Sequence, residues 1–169
     1  DGVLVDACDW HRQALNMALL EICNYEISLK DHYSQFNGIP TKEKLKKLTQ
    51  MGVVPESKHQ LINTRKQNLT LQLIKQHAHY RQEKVNLIKK LKSSGAFVAC
   101  YTNSIRKTAE LMLSKTGVLE SIDYLLTNED VANNKPDPEG YLLLVDKFKV
   151  VKDKVIIVEA SPKGLEAAR

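Results

Sequence analysis

Cysteine and long apolar runs are both scarce in this 169-residue chain, and each scarcity narrows what it can be. The three cysteines, Cys8, Cys23 and Cys100, match no zinc or redox spacing, which makes reduced thiols in a cytoplasmic protein the expectation. No apolar run approaches the roughly 20 residues of a membrane span, and no basic-then-apolar leader opens the chain, so no membrane partner is expected. An initiating Met is also lacking, and the polar Asp1 in its place reads as a truncated or processed start. No internal repeat or low-complexity segment stands out. Asn68-Leu69-Thr70 is formally a glycosylation sequon, but it has no secretory context to give it meaning.

What remains is an ordinary globular balance, 43% hydrophobic and 27% charged, at a length suited to one compact domain or a core with a small insertion. The net charge is +5. The lysines of Lys42-Glu43-Lys44-Leu45-Lys46-Lys47 and Lys89-Lys90-Leu91-Lys92 alternate with apolar residues at helical spacing. That pattern marks solvated helix faces rather than a nucleic-acid footprint, so no nucleic-acid partner is expected. Attraction of a small anion fits the same charge.

The front half reads as helical. Ala14, Leu15, Ala18, Leu19 and Ile22 predict a helix from about Cys8 to Cys23, and Trp10 reads as a core or interface aromatic. Ser28 and Asp31 resemble a capping box. A loop over Phe36–Thr41 precedes a helix that Thr41 would cap and that would end at Gly52. From Glu56 to about His79 the pattern is helical but polar and weakly periodic.

The back half alternates. Val85, Leu87, Ile88 and Leu91 form a helix face that stops at Gly95. Ala96–Tyr101 is a continuous apolar run, predicting a strand buried on both faces, and Val155–Val158 predicts another. Between them come a helix from Ile105 to Lys115, a short strand Tyr124–Leu126 and a helix Pro138–Phe148. A last helix begins at Ser161-Pro162. Strands alternating with helices predict an α/β fold with a parallel sheet.

In such sheets ligands bind beyond the carboxyl ends of the strands, where Asp1, Thr102 and Glu159 fall. Phosphoryl transfer needs a nucleophile, neutralisation of three oxygens and usually a divalent cation. Thr102 offers a hydroxyl, Asn103 an amide, Lys135 a cation between Asn134 and Pro136, and Asp1 and Glu159 hard oxygen donors. Taken singly, Thr102 also reads as a helix cap, Lys135 as one surface lysine among many, and Glu159 as a turn residue. His77-Ala78-His79 reads as an exposed helix end, because i and i+2 lie on different faces.

Four segments decide the weighting: Asp1-Gly2-Val3-Leu4-Val5-Asp6 with His11, then Tyr101-Thr102-Asn103-Ser104, Lys135-Pro136-Asp137-Pro138, and Glu159-Ala160-Ser161-Pro162-Lys163-Gly164. In order and context they resemble the haloacid dehalogenase superfamily of phosphatases and phosphomutases, in its β-phosphoglucomutase and phosphoglycolate-phosphatase-like branch. The resemblance implies a Rossmann-like parallel sheet core over residues 1–10 and 80–169, with an all-helical cap over 11–79. A first core strand and a C-terminal end would lie outside the chain, leaving sheet edges bare and stability poor. It implies Mg²⁺-dependent hydrolysis of a small phosphorylated metabolite through an aspartyl-phosphate, on a nucleophile two positions before Asp1. Asp1 would be the general acid/base and a Mg²⁺ ligand, and Glu159 would serve the metal. Thr102, Asn103 and Lys135 would hold the phosphoryl group, and His11, Thr41 and Lys42 would contact substrate.

Two departures bear on this. The family's usual Mg²⁺-binding Asp after Glu159 is replaced by Ala160, which, with the nucleophile outside the chain, predicts inactivity for the chain as it stands. The mutase-like cap loop often has an Arg three residues after its Gly, whereas Gly38 is followed by Thr41 and Lys42. The alternatives are a sugar phosphomutase, with Lys42, Arg65 or Lys66 anchoring a second phosphate, and a catalytically silent relative with a binding role.

Overall fold

A computed structural model describes residues 2–37 and 39–169. The expectations placed on Asp1 and on Gly38 lie outside the described residues. The chain divides into two compact units, Ala7–Gln76 and, from two stretches, Asp1–Asp6 with His77–Arg169.

The first unit is helical. Helix α1 (Cys8–Cys23) turns Ala14, Leu15, Ala18 and Leu19 inward, and Asn24 closes it in the left-handed conformation at φ 51°, which Asn tolerates better than most residues. Ser28 starts α2 (Leu29–Asp31), its hydroxyl accepting from the Asp31 amide at 3.0 Å. After three residues the helix widens into a π-turn over His32–Phe36, which buries Phe36 completely. Helix α3 (Thr41–Gln50) contributes Leu45 and Leu48, and α4 (His59–His77) contributes Ile62, Leu69 and Leu73. These side chains form one core with Ile27 and Val54, and Trp10 packs against it. Each fully buried aliphatic or Phe side chain contributes roughly 1.5–3 kcal/mol. Thr41 does not cap α3. Pro40 holds that position and its carbonyl accepts from Glu43 and Lys44, so Thr41 is already the first helical residue.

The second unit carries α5 (Gln82–Ser93), β1 (Ala99–Tyr101), α6 (Arg106–Lys115), β2 (Tyr124–Leu126), α7 (Glu139–Phe148) and α8 (Pro162–Ala168). β1 and β2 pair in parallel, Ala99 opposite Tyr124 and Tyr101 opposite Leu126, with α6 as the crossover that a parallel pair requires. The Asp123 carboxylate fixes the entry to this ladder by accepting from the Val98 amide at 2.8 Å and pairing with Lys92 at 2.8 Å.

Two strand expectations need correction. Of the run Ala96–Tyr101 only the last three residues form a strand, and it is not buried on both faces: Ala96 and Phe97 are exposed, and Phe97 stacks on Phe148 instead. Val155–Val158 belongs to no sheet, with Ile156 90% exposed. Among the described residues the sheet consists of β1 and β2 alone, so no strand pairs with that segment. No described helix is long and apolar enough to cross a membrane.

Candidate active site

The carboxyl ends of β1 and β2 open onto one cluster of polar groups. The Thr102 amide donates to the Leu126 carbonyl at 3.0 Å, extending the ladder one residue beyond β1 and fixing Thr102 at the rim. Its buried hydroxyl accepts from the Ser104 amide at 3.1 Å. Thr102 therefore organises the turn and does not cap α6, whose N-cap is Ile105. Asn103 makes a reciprocal pair with Lys135, its amide donating to the Lys135 carbonyl at 3.1 Å and its oxygen accepting from the Lys135 amide at 3.2 Å. Two residues that are 32 apart in sequence are thus joined backbone to side chain.

Lys135 is not one surface lysine among many. Its side chain is 9% exposed, and its ammonium donates to the Tyr101 carbonyl at 3.0 Å and pairs with the Glu159 carboxylate. It also lies over the rings of Tyr101 and Tyr141, at 4.6 and 5.3 Å from their centroids. Tyr141 donates its hydroxyl to the same Glu159 oxygen at 2.7 Å. Burial alone would push the Glu159 carboxyl up, but the Lys135 ion pair and the Tyr141 hydrogen bond outweigh it and hold the group below its ordinary value. The Tyr141 hydroxyl is pushed up, first by burial and then by its bond to the carboxylate.

Two glycines make this packing possible. A Cβ on Gly140 would collide with the Tyr101 ring, and a Cβ on Gly164 would overlap the Glu159 carboxylate. The loop before α7 is held by Glu139, whose carboxylate accepts from the Ala132 amide at 2.7 Å and the Asn133 amide at 2.8 Å. Ser161 caps α8 by accepting from the Gly164 amide at 3.0 Å, which holds the turn following Glu159.

Of the residues picked from sequence, Thr102, Asn103, Lys135 and Glu159 come together here, whereas His11, Thr41 and Lys42 belong to the helical unit. Lys42 is exposed on the first turn of α3. Tyr141 is the participant that sequence reasoning missed. Its one signal was Gly140 beside it in the first turn of a helix, a poor helix former that indicates close packing. The described residues do not by themselves fit Mg²⁺. Glu159 is a single carboxylate engaged by Lys135 and Tyr141, Ala160 has no donor, and no group of three His, Cys, Asp or Glu side chains among the described residues could hold a metal. Residue 160 does lie against Gly2, since a Cβ built there would come 2.9 Å from that of Ala160.

Comparison with known proteins agrees with this architecture. The chain is 27% identical over 143 residues to a phosphorylated carbohydrates phosphatase of Thermotoga maritima, covering 83% of this chain and 64% of the relative. It is 33% identical over 85 residues to the validoxylamine A 7′-phosphate phosphatase of Streptomyces hygroscopicus subsp. limoneus, covering 50% and 40%. It thus spans less than two thirds of either relative. The crystal structure of a β-phosphoglucomutase from Clostridium difficile superposes with a TM-score of 0.79 at 23% identity, over 99% of this chain and 76% of that one, a likeness of fold. The sequence profile of the haloacid dehalogenase-like hydrolases matches residues 1–169 from end to end, and the chain belongs to that family.

Proposed function

We propose that the second unit is the phosphoryl-transfer core of a phosphatase acting on a small phosphorylated metabolite, and that residues 11–79, most of them in the helical unit, are its cap. The observation that carries this reading is the convergence of Thr102, Asn103 and Lys135 at the carboxyl end of the β1–β2 pair, with the Lys135 ammonium held in place by Tyr101 and Glu159. The Thr102 hydroxyl accepts from Ser104 and so keeps its own hydrogen for a phosphoryl oxygen, and Lys135 adds a fixed positive charge. Two relatives are named for hydrolysis of phosphorylated carbohydrates and of validoxylamine A 7′-phosphate, which supports the substrate class.

In this reading Asp1 is the acid/base and, with Glu159, serves Mg²⁺. The residue at 160 then decides whether the cation is held. We read Ala160 as the loss of a direct carboxylate ligand, which makes this chain a poor catalyst. Hydrolysis of an aryl phosphate by the full-length protein, which supplies the residues before Asp1, across a Mg²⁺ titration tests both parts, with Ala160→Asp compared against the unaltered protein. The variant is expected to bind Mg²⁺ about 10–100-fold more tightly and to turn over faster. No turnover in either protein overturns the phosphatase reading in favour of a silent relative that binds phosphorylated ligands. That second reading is favoured by Ala160 and by the engagement of Glu159 with Lys135.

A further inference from the structure

The direction in which Glu159 faces matters more than its place at the rim. Lys135 and Tyr141 both donate to its Oε1, which engages both lone pairs of that oxygen. Oε2 takes the Ser161 hydroxyl at 3.4 Å, and the carboxylate lies in the space that a Cβ on Gly164 would fill, against the start of α8. Its own neighbours therefore close it in, and the Glu159 side chain is 9% exposed. Tyr141 is equally fixed. Its ring meets that of Tyr101 edge to face at 5.2 Å, and Gly140 beside it leaves the room that the Tyr101 ring occupies. Ala160, the residue after Glu159, brings no oxygen of its own side chain to the rim.

We propose that Glu159 serves Lys135 in place of a divalent cation, that Tyr141 is the positioning residue that holds it there, and that this rim takes a phosphate-like oxyanion without a metal ion. The inference rests on the reading of the rim as a phosphate site and carries the loss at residue 160 one step further. An ammonium bonded to Oε1 keeps a second cation from that oxygen by charge and by volume. Turning Glu159 towards a metal would leave Lys135 buried with a carbonyl and two aromatic rings but no counter-ion, the unfavourable way to break a buried pair. What the pairing leaves over suits an anion. With one N–H on the Tyr101 carbonyl and one on Glu159, Lys135 keeps a third, and Thr102 keeps its hydroxyl hydrogen. Both donors are fixed before the anion arrives, so little further ordering is needed to bind it.

Inorganic phosphate is the probe, titrated by calorimetry into the full-length protein in excess EDTA and again in excess Mg²⁺. The unaltered protein is expected to bind it alike in both media, within about twofold. Thr102→Val should weaken it in either medium, which places the anion at this rim. Ala160→Asp supplies a second oxygen donor beside Glu159 and should bind phosphate about tenfold more tightly with Mg²⁺ than with EDTA, the response of a metal-held anion. Tyr141→Phe keeps the ring, should keep a cooperative melting transition above the titration temperature, and loses only the hydroxyl. It should weaken phosphate by about tenfold in EDTA, and Mg²⁺ should recover part of that loss because a lone pair of Oε1 is released. A change of packing alone would weaken binding equally in both media. Phosphate affinity of the unaltered protein that rises about tenfold or more with Mg²⁺ overturns the inference and leaves the phosphate reading standing. No phosphate binding by any of these proteins in either medium overturns both. A Tyr141→Phe protein that matches the parent in both media removes Tyr141 from the positioning role.

Discussion

Each unit buries a lysine, and the two are buried in opposite ways. Lys135 meets a carboxylate, a carbonyl and two aromatic faces, all of which welcome its charge. Lys66 meets an imidazole and the field of a second lysine. Low exposure is common to both, so exposure says little about the state of a buried cation, and the neighbours decide it. In the first case the side chain is paired and organises a site. In the second, burial and the Lys44 charge lower its pKa to about 8.

Lys135→Met should break the comparison most severely. Glu159 would be left buried with only hydroxyl partners, and loss of about 3–5 kcal/mol is expected in denaturant unfolding, the usual result of removing one member of a buried pair. Tyr141→Phe removes the hydroxyl donor to the same carboxylate and should cost about 1.5–3 kcal/mol, with little change in packing. It should also raise the Glu159 pKa, because that hydrogen bond helps to hold it down. A folded-state carboxyl held low stabilises the protein above its unfolded pKa and loses that contribution as pH falls. The variant should therefore lose less stability on acidification than the parent.

The lysine pair of the helical unit should give a slope of the same sign, in the alkaline range. Unfolded, Lys44 and Lys66 keep their protons to about pH 10.5, whereas in the fold they release them near pH 8. Between those values the unfolded chain binds more protons, so stability rises with pH, by on the order of 3 kcal/mol for each lysine. Lys66→Met should flatten that rise, measured by denaturant midpoints across the window. The smallest effect belongs to the segment outside the sheet. Ile156 is 90% exposed, and Ile156→Thr should change stability by no more than about 0.5 kcal/mol, although its run reads as buried strand.

Several features were legible from residue order alone. The spacing of Ala14, Leu15, Ala18 and Leu19 set the bounds of α1, and Ser161-Pro162 set the start of α8, because local periodicity and capping need no distant partner. Thr102, Asn103 and Lys135 were legible as a group through their positions at strand ends. The burial of Val155–Val158 was not legible. An apolar run specifies that a strand would be stable between neighbours, not that neighbours are there. The weak periodicity of α4 was read as polarity; the structure shows that Lys66 and Thr70 occupy its buried stripe, where a hydrophobic pattern cannot register them. Lys44 was read with its solvated neighbours, and its partial burial depends on which face α3 turns inward, a matter of packing.

By itself the sequence determined the helices, the alternation that makes a parallel pair, and the chemistry available at its rim. Those follow from interactions among residues close in the chain. Only the tertiary structure decided which lysine has a counter-charge. Lys135 reaches Glu159 across 24 residues and Lys66 reaches His11 across 55, and electrostatics in a buried setting depends on distance in space, which sequence separation does not encode.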